Sequence, residues 1–218
     1  MITPFERRHQ RMSVNSKWMP AENPPHESPI ETELARVLAK YIDDDAAFYK
    51  QVPVNTTHGD FRLDFLVEND AGLYAFEADG REFHDYSRDM FRDSIILDHT
   101  DVTAVFRISG RDVNFLLEEA LFVVSRIEPR IFSARGRANL EVLASRRIDV
   151  ESVSIGSEFA HAFPKELGNP LPKVGYLSKL GHNPIWRRLA AYARLHPTSR
   201  ADELVVLGDA DGLKWYAD

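Results

Sequence analysis

Residues 61–83 read FRLDFLVENDAGLYAFEADGREF. Phe61–Val67 and Gly72–Ala78 have the apolar composition of core strands, yet Asp64 interrupts the first, and Glu77 and Asp79 close the second just before Gly80. An unpaired carboxylate in a core is costly, so three of them at such positions need a reason. Alternation along a strand puts Asp64 on the face of Arg62 and Leu66, with Phe61, Leu63, Phe65 and Val67 on the other; Glu77 and Asp79 share a face with Leu73 and Ala75. A turn within Glu68–Gly72, of the Asn-Asp-Ala-Gly type, would fold the two runs into a hairpin with the acids gathered at one end. A divalent cation would relieve their repulsion, and hard oxygen donors without cysteine suit Mg²⁺ or Mn²⁺ better than Zn²⁺. The bland alternative is an antiparallel hairpin whose acidic face is simply wet.

The 218-residue chain is long enough for one ample core, or for a smaller core with an appendage. It has no cysteine, which removes disulfides, thiolate zinc sites and cysteine nucleophiles together. No apolar run approaches the roughly 20 residues of a membrane span, and MITPFERRHQRM lacks the apolar stretch of a signal peptide, so the expectation is a cytoplasmic protein without a membrane partner. The net charge of −7 is unevenly spread: residues 31–120 carry 9 basic and 20 acidic groups, residues 121–218 carry 14 and 11. Basic character therefore lies outside the acidic hairpin, in Arg126, Arg130, Arg135, Arg137, Arg146 and Arg147 and again in Arg187, Arg188, Arg194 and Arg200. Such clusters either hold phosphates or are solvated helix faces.

Three regions are expected: a flexible N-terminal arm (1–27) rich in proline and polar groups, a core (28–127), and a small α+β C-terminal extension (128–218). Ser28 as N-cap, Pro29 in the first helical position and Glu31 in the first turn predict a helix over Pro29–Tyr41, whose apolar stripe leaves Glu31 at its inner edge. Strands follow at Ala47–Val54, Phe61–Val67 and Gly72–Ala78, then a helix over Tyr86–His99, a strand over Val102–Ile108 and a helix over Arg111–Ile127. A helix between the third and fourth strands implies a crossover, so the fold class is α/β, with a mixed sheet covered by helices. Beyond residue 128 the readable pieces are helices near Arg137–Arg146 and Pro184–His196, a proline- and glycine-rich stretch over Phe163–Pro184, and a final strand over Glu203–Leu207.

The ordered stretches SPIETELARVL, FYKQVPV, RLDFLV, AFEADGREFH, RDMFRDSIIL and VFRIS, between Ser28 and Val113, resemble the PD-(D/E)XK nuclease superfamily, in particular the branch similar to very-short-patch-repair endonucleases. The resemblance implies a restriction-endonuclease-like αβββαβ core and metal-dependent endonucleolytic hydrolysis of phosphodiester bonds in DNA, with RNA not excluded. It implies Asp64 and Glu77 as metal-binding acids, the Ala78 carbonyl as a further ligand, and Glu31 as holder of a metal-bound water or second ion. Asp79 stands where the superfamily pattern writes lysine; an aspartate there can bind metal, accept hydrogen bonds or act as a base, but cannot stabilise phosphorane charge.

His84, five residues past Asp79, is the candidate base, relay or phosphate donor, or else a surface histidine after a turn. Asp89 and Arg92 lie one helical turn apart and can pair. Arg107, in phase with Val105 on its strand, would need a buried carboxylate such as Asp89 or Glu77. Gln51 matches the family's glutamine and either hydrogen-bonds near the site or is an ordinary edge-strand residue. Cutting both strands normally takes two sites, which is compatible with a homodimer, although no isolated feature of the sequence demands one. The alternative function is a nuclease-like module that binds nucleic acid or protein without catalysis, motivated by the missing lysine.

Overall fold

The structure is a computed structural model and describes residues 18–21, 23–80, 85–180 and 185–213. A two-residue strand, β1 (Met19–Pro20), pairs antiparallel with β2 (Ala47–Thr56) and brings Ala21 into the core. Between them runs α1 (Pro29–Leu38), which begins where Ser28 is extended and its Oγ accepts from the Glu31 N–H at 3.2 Å. The next strands, β3 (Gly59–Asn69) and β4 (Gly72–Asp79), complete an antiparallel meander, with Asp70 and Ala71 forming the turn between them. Helix α2 (Tyr86–His99), capped by Asp85, carries the chain across the sheet so that β5 (Val102–Ser109) lies parallel to β4.

The helix expected over Arg111–Ile127 is two helices, α3 (Gly110–Phe115) and α4 (Leu117–Ile127), broken at Leu116, whose φ of −142° and ψ of 30° are not helical. Past residue 128 come α5 (Ala134–Ala144), β6 (Ile148–Ile155), β7 (Phe159–Pro164), β8 (Lys173–Ser178), α6 (Ile185–Leu195) and α7 (Ala201–Ala210). Strands β6–β8 join the same sheet, whose order is β1-β2-β3-β4-β5-β8-β7-β6. The fold is thus α/β, a mixed eight-stranded sheet with seven α-helices among the described residues. Among these residues no helix is long and apolar enough to cross a membrane.

Residues 203–207 are helical, not a strand. The apolar run is too short to fix its own period. What decides is the burial of Ala201, Leu204 and Gly208 at helical spacing while Val206 stays 69 % exposed, with the Arg200 N–H donating to Glu203 Oε2 at 2.9 Å to start the helix.

Each face of the sheet carries its own core. One buries Phe65, Val67, Tyr74, Phe76 and Phe106 under α1, α4 and α5; the other buries Leu66, Leu73, Ala75 and Val105 under α2, α6 and α7. The alternation expected through β3 breaks between these two cores: Leu63 and Phe61 pack with Leu66, not with Phe65 and Val67. Strand β2 breaks likewise, since Phe48 belongs to the first face and Tyr49, Val52 and Val54 to the second. The cause is Gln51, at φ 52°, a left-handed conformation that rotates the chain and costs a side-chain-bearing residue about 1–3 kcal/mol. The ladder pairs Lys50 with Phe65 and Val52 with Leu63, so β3 turns with β2 at the facing position, Asp64.

Candidate functional site

The site is built where the sheet opens. Strands β3 and β4 pair as far as Phe65 and Phe76, after which β4 continues only with β5, placing Glu77, Ala78 and Asp79 beside Arg107, Ile108 and Ser109. The splay releases backbone amides from the ladder, and buried amides need acceptors. Asp64 and Glu77 supply them: the Ala78 N–H donates to Asp64 Oδ2 at 2.9 Å, and the Asp64 N–H approaches Glu77 Oε1 at 3.4 Å. The two acids are therefore neighbours, at the carboxyl end of the parallel pair β4–β5, where open α/β sheets commonly place ligands.

Electrostatics mark the same spot. Burial pushes the Asp64 carboxyl up to about 7, and the charges of Glu77 and Glu31 push the same way, against the Ala78 N–H and Arg92, which favour the ionised form. Glu77 is 5 % exposed and accepts from Arg92 NH1 at 2.9 Å; Arg92 NH2 also donates to the Arg62 carbonyl at 2.7 Å. Glu31 lies in the electrostatic reach of Asp64, but its carboxylate is engaged: Ser28 Oγ donates to Oε1 and Gln51 Nε2 to Oε2, both at 2.8 Å. Gln51, next to the two-residue edge strand, thus supports the site by holding Glu31, while its own Oε1 is buried with no hydrogen-bond partner among the described residues.

Arg107 pairs with the expected Asp89 at long range and more closely with two further carboxylates. Its Nε and NH2 donate to Asp93 at 2.7 and 2.8 Å, NH1 donates to Asp79 at 2.9 Å, and an Asp89 oxygen lies 3.7 Å from NH1. Sequence reasoning does not single out Asp93, although it sits four residues after Asp89 on the same helix and is 3 % exposed. Arg92 is ion-paired to Glu77 and, at 3.7 Å, to Asp93. A buried arginine thus takes up the charge of Asp79, the residue in the lysine slot. His84 lies outside the described residues.

A cleft of about 1060 Å³ opens over Asp64, Glu77 and Asp79 and is flanked by Arg88, Arg111 and Arg200. Among the described residues no three His, Cys, Asp or Glu groups are placed to hold one ion together. The acids nevertheless fit Mg²⁺ or Mn²⁺, because Mg²⁺ sites commonly use one or two carboxylates and leave the other positions to water and substrate phosphate. Among the described residues Asp64 Oδ1 has no hydrogen-bond partner and Glu77 Oε1 has only the long contact to the Asp64 amide, so these two hard oxygens would hold the ion. Glu31, with both oxygens engaged, does not join them in this arrangement. No family model, curated protein or solved structure matches the chain.

Proposed function

We propose that the chain is a metal-dependent endonuclease that hydrolyses phosphodiester bonds in DNA, built on the restriction-endonuclease-like arrangement of α1, β2, β3, β4, α2 and β5. The observation that carries this reading is the pair Asp64–Glu77, a half-buried and a buried acid side by side that leave oxygens for a cation on the floor of an arginine-flanked cleft. When bound, Mg²⁺ or Mn²⁺ neutralises charge on the scissile phosphate and makes water a better nucleophile. Asp64 and Glu77 position that ion, Arg92 fixes the Glu77 carboxylate, and the Ala78 N–H fixes that of Asp64. Arg88, Arg111 and Arg200 offer charge to the phosphodiester backbone along the cleft.

Incubation of supercoiled plasmid, single-stranded DNA and RNA with Mg²⁺, Mn²⁺ or EDTA tests the reading and separates the two polymers. The expected result is metal-dependent cleavage of DNA that Asp64→Asn abolishes. Cleavage surviving that substitution would mean the site is misassigned.

A second reading, a nuclease-like module that binds without cutting, is favoured by one specific observation: Arg107 already neutralises Asp79, in the slot where catalysis would use lysine. Tight DNA binding with no heat of Mn²⁺ binding in calorimetry would select it, and metal-dependent cleavage would eliminate it.

A further inference from the structure

Behind the Arg107 network lies a second cavity, of about 420 Å³, within the range of roughly 300–1,000 Å³ typical of small-molecule pockets. Asp79, Asp89, Arg107 and Arg111 line both spaces, so the pocket adjoins the cleft. Its walls include Met90, Leu171 and Leu177 and the rings of Tyr86 and Phe159, which stack with centroids 5.4 Å apart at 23°; the Lys173 ammonium, also in the lining, lies 3.5 Å from the Phe159 centroid.

Set into these walls is a carboxylate with acceptor capacity to spare. Glu158 is 7 % exposed, and one of its oxygens accepts from the Tyr86 hydroxyl. Among the described residues the other oxygen has no hydrogen-bond donor and no cation pairs with the group. A buried carboxylate without a cationic partner is costly and calls for a donor. Asp112, 2 % exposed, lines the same pocket but is already engaged: its Oδ1 is buried in an ion pair with Arg111 Nε at 3.1 Å, and its Oδ2 accepts from the Lys173 N–H at 3.2 Å. A carboxylate only accepts, so the ligand must bring an N–H group, and the Tyr86 ring beside Glu158 suits a planar one.

We propose that this pocket takes one unstacked nucleobase carrying an exocyclic amino group, with Glu158 reading the amino edge and the Tyr86 ring packing against the base. Enzymes that draw a base out of the stack recognise it by this combination of stacking and edge hydrogen bonds. The assignment rests on the nuclease reading for its choice of a nucleobase over other planar amines. Guanine, adenine and cytosine carry that group, whereas thymine and hypoxanthine bring only a ring N–H flanked by carbonyl oxygen, which the Glu158 carboxylate repels.

Calorimetry on the full chain in EDTA tests the proposal without any cleavage. Deoxyguanosine, deoxyadenosine, deoxycytidine, thymidine and deoxyinosine form one arm; ten-residue thymidine oligonucleotides, with or without one central deoxyguanosine or deoxyinosine, form the other. The expected result is at least tenfold tighter binding of an amino-bearing base than of thymine and hypoxanthine, lost in Glu158→Gln. Discrimination in the oligonucleotide arm alone assigns the pocket to a base of the polymer; discrimination in both arms means a free nucleoside suffices. Leu171→Trp, which fills the cavity from a partly exposed wall, should abolish the preference independently should Glu158→Gln not fold. Equal affinity for all bases in both arms, or a preference that survives in folded Glu158→Gln, would overturn the proposal. Discrimination without metal-dependent cleavage would retain the pocket and remove the nuclease reading, and cleavage without discrimination would do the reverse.

Discussion

The Ala78 N–H donates to Asp64 Oδ2 at 2.9 Å, so the acid that breaks an apolar strand also closes the gap left where that strand parts from its neighbour. Asp64 therefore has a structural duty beside the chemical one proposed for it, and two substitutions separate them. Asparagine keeps an acceptor for the Ala78 amide but removes the charge; alanine removes both. Asp64→Asn is expected to melt at or above the wild type at pH 8 and to have no nuclease activity. Asp64→Ala should be equally inactive and less stable than Asp64→Asn by about 1–3 kcal/mol, the cost of a buried donor left without a partner. Denaturant unfolding at pH 8 measures the difference, and equal stabilities would show that the amide finds another acceptor.

The raised Asp64 carboxyl makes stability depend on pH in a defined direction. An unfolded aspartate releases its proton near 3.8, whereas the folded one holds it up to about 7. Between these values the folded state binds more protons, so the Asp64 contribution weakens stability as pH rises from about 4 to 7 and is constant above that. In metal-free buffer the melting profile of the wild type minus that of Asp64→Asn should fall across this window. A flat difference would mean that Asp64 ionises normally.

Much of this site is legible in the order of residues alone. Ser28 and Pro29 announce α1, the two apolar runs announce the β3–β4 hairpin, and a helix before Val102 announces the parallel pairing that sets Glu77 beside Arg107. What is hidden depends on tertiary context. The face exchange at Asp64 is invisible because it starts in another strand, at a glutamine whose left-handed backbone no residue type advertises. Asp93 is hidden because a helical aspartate looks solvated until Arg107, from β5, reaches it. Strands β6–β8 escape notice because β6 is half exposed and β8 lies within a proline- and glycine-rich stretch.

Gln51 gives a test of strain at the point where the faces exchange. Gln51→Gly and Gln51→Ala both lose the amide that donates to Glu31, but only glycine adopts φ 52° without penalty. Gln51→Gly is expected to be the more stable of the two by about 1 kcal/mol, despite the greater freedom of glycine in the unfolded chain. Chemical denaturation of the pair provides the comparison. An alanine variant as stable as the glycine variant would show that β2 relaxes to ordinary strand geometry there.

Arg107 joins the two cavities, and its removal should be felt in both. Its guanidinium spans Asp93 and Asp79, and burial, which alone would favour losing the proton, is outweighed by these carboxylates, so it stays charged. Deleting one partner of a buried ion pair typically costs about 3–5 kcal/mol, because the charge left behind has neither water nor counter-ion. Arg107→Ala is expected to lose stability in that range, measured by urea unfolding. Arg107→Lys restores the charge but not the fork that bridges Asp93, and should recover only part of the loss. The double variant Arg107→Leu/Asp93→Leu removes both buried charges and should be more stable than Arg107→Ala. If it is not, the pair is held by its surroundings rather than by mutual neutralisation.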